Sequence, residues 1–187
     1  MSALDIVGLC GSLRAASLNR MALKLAASSM PQDMHMEVVE WRDVPPFDAD
    51  VLAAQGLPPS VAALRERIRR ADGVVIATPE YNFSIPGMLK NAIDWISRGE
   101  DQPFAHMPVA IVTATPGPRG GARVQYDLRK VLLFVNAMTL VKPEVFIGDA
   151  ALKFDAAGQC TDEATRKFVT AQMDAFAKWI AAVKRMN

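Results

Sequence analysis

Five short apolar runs, each followed by a helix-like pattern, constrain this chain more than any other feature. They are Ile6–Cys10, Met34–Trp41, Gly73–Thr78 (GVVIAT), Pro108–Thr115 (PVAIVTAT) and Leu140–Ile147. Between and after them, apolar residues recur at helical spacing: Leu18, Met21, Ala22 and Leu25; Val61, Leu64 and Ile68; Met88 to Arg98; Ala122 to Asn136; and Val169, Met173, Phe176, Ile180 and Val183. Short runs of this kind read as buried strands, and the i, i+3, i+4, i+7 spacing reads as amphipathic helices. Strand and helix alternating five times predicts one parallel sheet with helices on both faces. The expected order is 2-1-3-4-5 in a doubly wound, five-stranded α/β domain spanning residues 1–187. Val44 to Asp50 reads as a proline-broken surface loop. Pro58-Pro59-Ser60 announces a helix, and another is expected to start near Thr161-Asp162.

In such a sheet a ligand sits beyond the carboxyl ends of the strands at the switch point. Three loops meet there, Gly11–Ser17, Pro79–Gly87 and Thr115–Gly121, all rich in Gly, Pro, Ser and Asn. The first passes from an apolar strand through a Gly/Ser turn into a helix start. Such a junction presents free amides and the positive end of a helix dipole, so it suits an anion. Ser12, Ser17 and Asn19 add polar groups, and Arg14 brings a guanidinium able to grip phosphate in a fork.

The chemistries that are missing narrow the ligand. There is no Gly-x-x-x-x-Gly-Lys-Ser/Thr for a nucleoside triphosphate, no Gly-x-Gly-x-x-Gly for a Rossmann-bound dinucleotide and no Gly-x-Ser-x-Gly elbow for a hydrolase. His35 and His106 are the only histidines, and Cys10 and Cys160 lie too far apart to form a metal motif. With no nucleophile, base or metal in view, the reactivity must come from a cofactor. A net charge of +1 with scattered basic residues argues against a nucleic-acid surface. No run reaches the length of a membrane span, no signal segment is legible at the start, and the cysteine usage suits a reduced cytoplasmic protein. A flavin mononucleotide matches the three loops, with its phosphate in the first and its flat, polar-edged ring beside Glu80-Tyr81-Asn82-Phe83.

Two motifs carry a family resemblance. Gly11-Ser-Leu-Arg-Ala-Ala-Ser-Leu-Asn19 resembles the phosphate loop of NAD(P)H-dependent FMN reductases, and Thr78-Pro-Glu-Tyr-Asn-Phe-Ser-Ile-Pro-Gly-Met-Leu-Lys-Asn-Ala-Ile-Asp-Trp95 resembles that family's second signature. The similarity leans towards the chromate- and quinone-reducing branch. It implies a flavodoxin-like fold, FMN as cofactor and NADH or NADPH as co-substrate. It also implies FMN phosphate contacts from Ser12, Arg14, Ser17, Leu18 and Asn19, and ring-edge contacts from Pro79, Glu80, Tyr81 and Asn82. Thr115 and Gly117 close the far side. Of Glu80, the backbone rather than the carboxylate is expected to matter. No side chain is expected to act in catalysis, the chemistry lying at flavin N5. Quinones, with chromate as a side substrate, are the expected acceptors in a ping-pong cycle. The resemblance further implies a homodimer or homotetramer, with Arg123, Tyr126 and Glu144 at a subunit contact. A flavodoxin-type electron carrier and a reductase of free FMN stand as alternatives; near-neutral charge and Arg14 favour the reductase over the carrier.

Overall fold

The computed structural model describes residues 3–186. Its strands are β1 (Leu4–Cys10), β2 (Met34–Val39), β3 (Gly73–Thr78), β4 (Pro108–Ala114), β5 (Met138–Thr139) and β6 (Val145–Ile147). Its helices are α1 (Leu18–Ser28), α2 (Ala49–Gln55), α3 (Pro59–Arg69), α4 (Gly87–Ile96), α5 (Ala122–Phe134) and α6 (Glu163–Met186). All pairings are parallel, in the order β2-β1-β3-β4-β5, with β6 also on β4. The doubly wound architecture is therefore the one expected from the alternation of apolar runs.

The period-2 geometry of a strand divides the core in two. Val75 and Ala77 of β3 point to a layer built with Ala22 and Leu23 of α1 and Met173 and Phe176 of α6. Val74 and Ile76 point the other way, onto Ile68 of α3, Trp95 of α4 and Leu128 of α5. Every residue of β3 and β4 is buried, which explains why those runs are apolar throughout and do not alternate.

Two expectations need correction. The loop expected over Val44–Asp50 gives way at its end to a helix that was not expected: Ala49–Gln55 forms the short helix α2, capped by Asp48, whose carboxylate accepts the Asp50 and Val51 amides at 2.8 and 3.4 Å. It buries no residue, so it leaves no apolar period in the sequence. Of the fifth strand, expected as one run over 140–147, only Val145–Ile147 pairs with β4, as β6, while β5, Met138–Thr139, precedes the expected run. Thr139 pairs with Val109 and Val145 with Val112, so residues 140–144 stand opposite only Ala110 and Ile111. Pro143, in this stretch, has no N–H to donate to the β4 ladder. The buried side chain of Gln172 fills the gap from α6, its Nε2 donating to Ile111 O and Pro143 O, both at 3.0 Å. From the opposite layer, Gln125 Nε2 donates to Val145 O at 2.8 Å and to Thr113 Oγ1 at 3.1 Å.

Replacing Gln172 with Leu keeps the volume but leaves two buried carbonyls without that donor. We expect a loss of about 2–6 kcal/mol, at about 1–3 kcal/mol for each of the two orphaned groups, read as a lower urea midpoint with unchanged far-UV circular dichroism.

Candidate flavin site at the carboxyl edge of the sheet

The chain leaves β1 at Cys10 and turns at Gly11, whose amide donates to Ala77 O of β3 at 2.7 Å. A Cβ at Gly11 would lie 2.5 Å from Thr78 Oγ1 and 2.9 Å from Leu89 Cδ2, so only glycine lets the first loop cross the end of β3. The loop's carbonyls are drawn away one by one. Trp41 Nε1 donates to Cys10 O at 3.1 Å, the Cys10 thiol to Ser12 O at 3.3 Å, and Arg42 to Leu13 O.

The amides are treated differently. Among the described residues, those of Ser12, Leu13 and Ala15 to Leu18 have no protein acceptor. Ser17 Oγ caps α1 by accepting the Asn19 and Arg20 amides at 3.2 and 3.3 Å. A row of free donors at a helix N-terminus is built for an anion.

The charges separate in the same way. Arg20 is paired with Glu40 at 2.5 Å. That hydrogen bond raises the Arg20 pKa and lowers that of Glu40, each charge stabilising the other. Arg14 is exposed, makes no ion pair among the described residues, and lines a cavity of about 600 Å³ with Gly11, Leu13, Tyr81, Pro86, Gly87 and Met88. A larger cavity, of about 870 Å³, lies between α1 and α6, lined by Leu25, Ser28, Glu163 and Arg166 and away from the three loops.

Of the residues singled out from the sequence, Arg14 and Tyr81 meet across this cavity. Ser12, Ser17 and Pro79 are buried, Leu18 is half-buried and Asn82 is exposed. The side chain of Asn19, 2 % exposed, is spent inside the protein: Nδ2 donates to Ala114 O at 2.8 Å and Oδ1 accepts the Ala114 amide at 2.9 Å. Thr115 and Gly117 do not line the cavity. Thr115 donates its amide to Ile147 O and accepts that of Ala150, while Gly117 O accepts the Asp149 amide and the Thr115 hydroxyl. The third loop is thus sewn to the turn after β6. A Cβ on Gly148 would sit 2.3 Å from Pro118 O, so that seam needs glycine.

Arg123, Tyr126 and Glu144 do not meet within one chain. Arg123 engages Glu80, Glu144 sits near Lys142 and Arg129 at 3.3 and 3.8 Å, and Tyr126 is exposed. Sequence reasoning passed over Met88 and the Trp41–Arg42 pair. Met88 lies in the first turn of α4 directly after Pro86-Gly87, a signal that was legible. Trp41 and Arg42 reach the first loop only because β2 lies beside β1, and no local pattern encodes that.

Asn19→Ala removes the side chain that joins α1 to the end of β4 and strands a buried N–H and C=O. A loss of about 2–4 kcal/mol is expected in chemical denaturation of the flavin-free protein.

Residues 4–151 match the family model described as NADPH-dependent FMN reductase. The chain is 47% identical over 183 residues to a quinone reductase of Escherichia coli K12, covering 97% of each. It is 42% identical over 181 residues to an NAD(P)H-dependent FMN reductase of Pseudomonas aeruginosa, again covering 97% of each. Among solved structures it is similar to the flavoenzyme NAD(P)H:(acceptor) oxidoreductase FerB of Paracoccus denitrificans, with a TM-score of 0.87, 36% identity and coverage of 96% of this chain and 98% of that one. The sheet order is that of the flavodoxin-like fold, and the chain belongs to the NADPH-dependent FMN reductase family, oxidoreductases that work with FMN and NAD(P)H.

Proposed function

We propose that this protein passes two electrons from NADH or NADPH to small quinones, with chromate as an opportunistic acceptor. The observation that carries the site assignment is the first loop: a row of unbonded amides and an unpaired Arg14 at the mouth of a cavity walled by Tyr81 and Met88. This donor set fits a phosphate monoester. Six amides without acceptors, the Ser12 hydroxyl and a guanidinium are more than a capping water needs.

When bound, FMN supplies the hydride and electron-transfer chemistry. The protein's own residues hold and shape. Ser12, Arg14, Ser17 and Leu18 grip the phosphate, and Asn19 fixes the loop that presents them. Pro79, Glu80, Tyr81 and Asn82 would border the ring edge, while Thr115 and Gly117, which lie outside the cavity, would bear on its far side through the seam they share with the turn after β6. Tyr81, 47% exposed, leaves a broad apolar entrance suited to a planar acceptor. One entrance serves both co-substrates, so the oxidised nicotinamide leaves before the quinone enters. Assembly into dimers or tetramers belongs to the same proposal, supported by the exposed Tyr126, Leu133 and Phe134 on α5.

Arg14→Ala is expected to weaken FMN binding by about ten- to a hundredfold, the loss of one or two charge-assisted hydrogen bonds, with the melting temperature of the flavin-free protein unchanged. Unaltered FMN affinity in Arg14→Ala would refute the phosphate assignment. In steady-state kinetics, double-reciprocal plots at several quinone concentrations should run parallel; intersecting lines would exclude the shared-entrance cycle.

A further inference from the structure

Glu80 follows Pro79 at the end of β3, and its carboxylate leaves the loop it belongs to. Oε2 accepts the backbone amides of Arg123 at 3.1 Å and Val124 at 3.2 Å, and Oε1 accepts from the Arg123 guanidinium at 3.2 Å. These amides belong to the first turn of α5, where a helix has no acceptor of its own. The N-cap of α5 is Gly121, with no side chain to offer, and the first turn contains no acid. The second loop therefore supplies, as a charge at the positive end of the dipole, the cap that the helix after the third loop lacks.

The same contact reaches a strained turn. Asn82 and Phe83 both have positive φ, 49° and 68°. Tyr81 and Ser84 close the turn with two backbone hydrogen bonds of 3.0 and 2.9 Å. Asparagine tolerates this region, but phenylalanine seldom adopts it, and such a conformation persists only where the surroundings over-determine it. Here the Arg123 guanidinium, held by Glu80, lies 4.0 Å from the centroid of the exposed Phe83 ring. Glu80, Arg123 and Phe83 form one chain of contacts that ends on the turn beginning with Tyr81, a wall of the cavity.

We infer that Glu80 is a positioning residue whose carboxylate clamps the second loop to the first turn of α5. It thereby fixes the ring-facing wall of the flavin crevice independently of the phosphate loop. The inference rests on the flavin reading above and gives the carboxylate a task that the sequence reading left to the backbone. It also divides the site into two separable halves. Arg14 and its neighbours recognise the phosphate; the Glu80 clamp shapes the place for the ring.

Riboflavin, which has the ring but not the phosphate, separates these halves. FMN and riboflavin would each be titrated into flavin-free protein, with flavin fluorescence as the readout and thermal melts alongside. Arg14→Ala should weaken FMN alone. Glu80→Ala should weaken FMN and riboflavin by the same factor, about tenfold, one charge-assisted contact's share. Glu80→Asp keeps the charge but is one methylene short of the α5 amides, so it should behave like Glu80→Ala. Glu80→Gln retains an oxygen for both amides and should bind riboflavin within about threefold of the parent, since only the ion pair is lost. Riboflavin affinities equal to the parent's in Glu80→Ala and Glu80→Asp, with only the melting temperature lowered, would overturn the positioning role. Should Glu80→Ala fail to fold, the Asp and Gln variants decide: equal affinities overturn the clamp, and a deficit in Asp alone supports it. A parent protein that binds neither flavin would instead overturn the flavin reading itself.

Discussion

The paired hydrogen bonds between the Asn19 side chain and the backbone of Ala114 hold the site's frame together. An amide side chain carries the same donor and acceptor as a peptide group, so Asn19 pairs with the end of β4 as another strand would. It does so at full burial, where an unmatched partner is costly. Because Asn19 stands two residues into the first helix, this contact fixes the position of the helix start relative to the sheet. The free amides of Ser12, Leu13 and Ala15 to Leu18 are thereby held in one place relative to the sheet. An anion site made of backbone donors is only as good as the rigidity of its backbone, and here a side chain supplies it.

The other loops are tied by the same logic and different means. Glycine lets backbones approach at Gly11 against Thr78 and at Gly148 against Pro118. The third loop is closed by hydrogen bonds to the turn after β6, and the second by a carboxylate reaching α5. Each of the three loops is thus anchored to an element that did not produce it. The crevice is consequently rigid on its polar side, while Tyr81, Phe83 and Met88 leave its apolar rim exposed. This combination suits a cofactor that stays and acceptors that come and go.

Much of this was legible in the chain alone. Continuous apolar runs marked the buried parallel strands, and the Ser-rich turn before Leu18 marked the loop whose amides lack protein acceptors, because both signals are local. What escaped was non-local or had no apolar period. α2 fully buries no residue, with only Val51 and Leu52 resting partly on the core, so no helical period marks it in the sequence. The break in the fifth strand depends on Gln172, placed some thirty residues later and usable only once α6 packs on the sheet. Asn19 was legible as a polar residue in the right place, but its partner lies 95 positions away. Glu80 reads as a surface carboxylate until α5 is seen to lack a cap.

The pairing of charges around the first loop shows how selectivity is built without a catalytic side chain. Arg20 sits one turn inside α1 and could compete for the same anion, yet Glu40 holds it in a short ion pair that stabilises both charges. Arg42 is drawn aside by the Leu13 carbonyl, which also turns that carbonyl away from the loop's interior. Arg14 alone keeps an uncommitted guanidinium beside the cavity. Among the described residues that line the cavity Arg14 is the one cation, and one cation matched to a row of amides suits a compact monoester better than an extended polyphosphate, which would call for charge along its length. Under the proposed function, the loop would take the phosphate end of a mononucleotide and leave the identity of the ring to the wall that begins at Glu80.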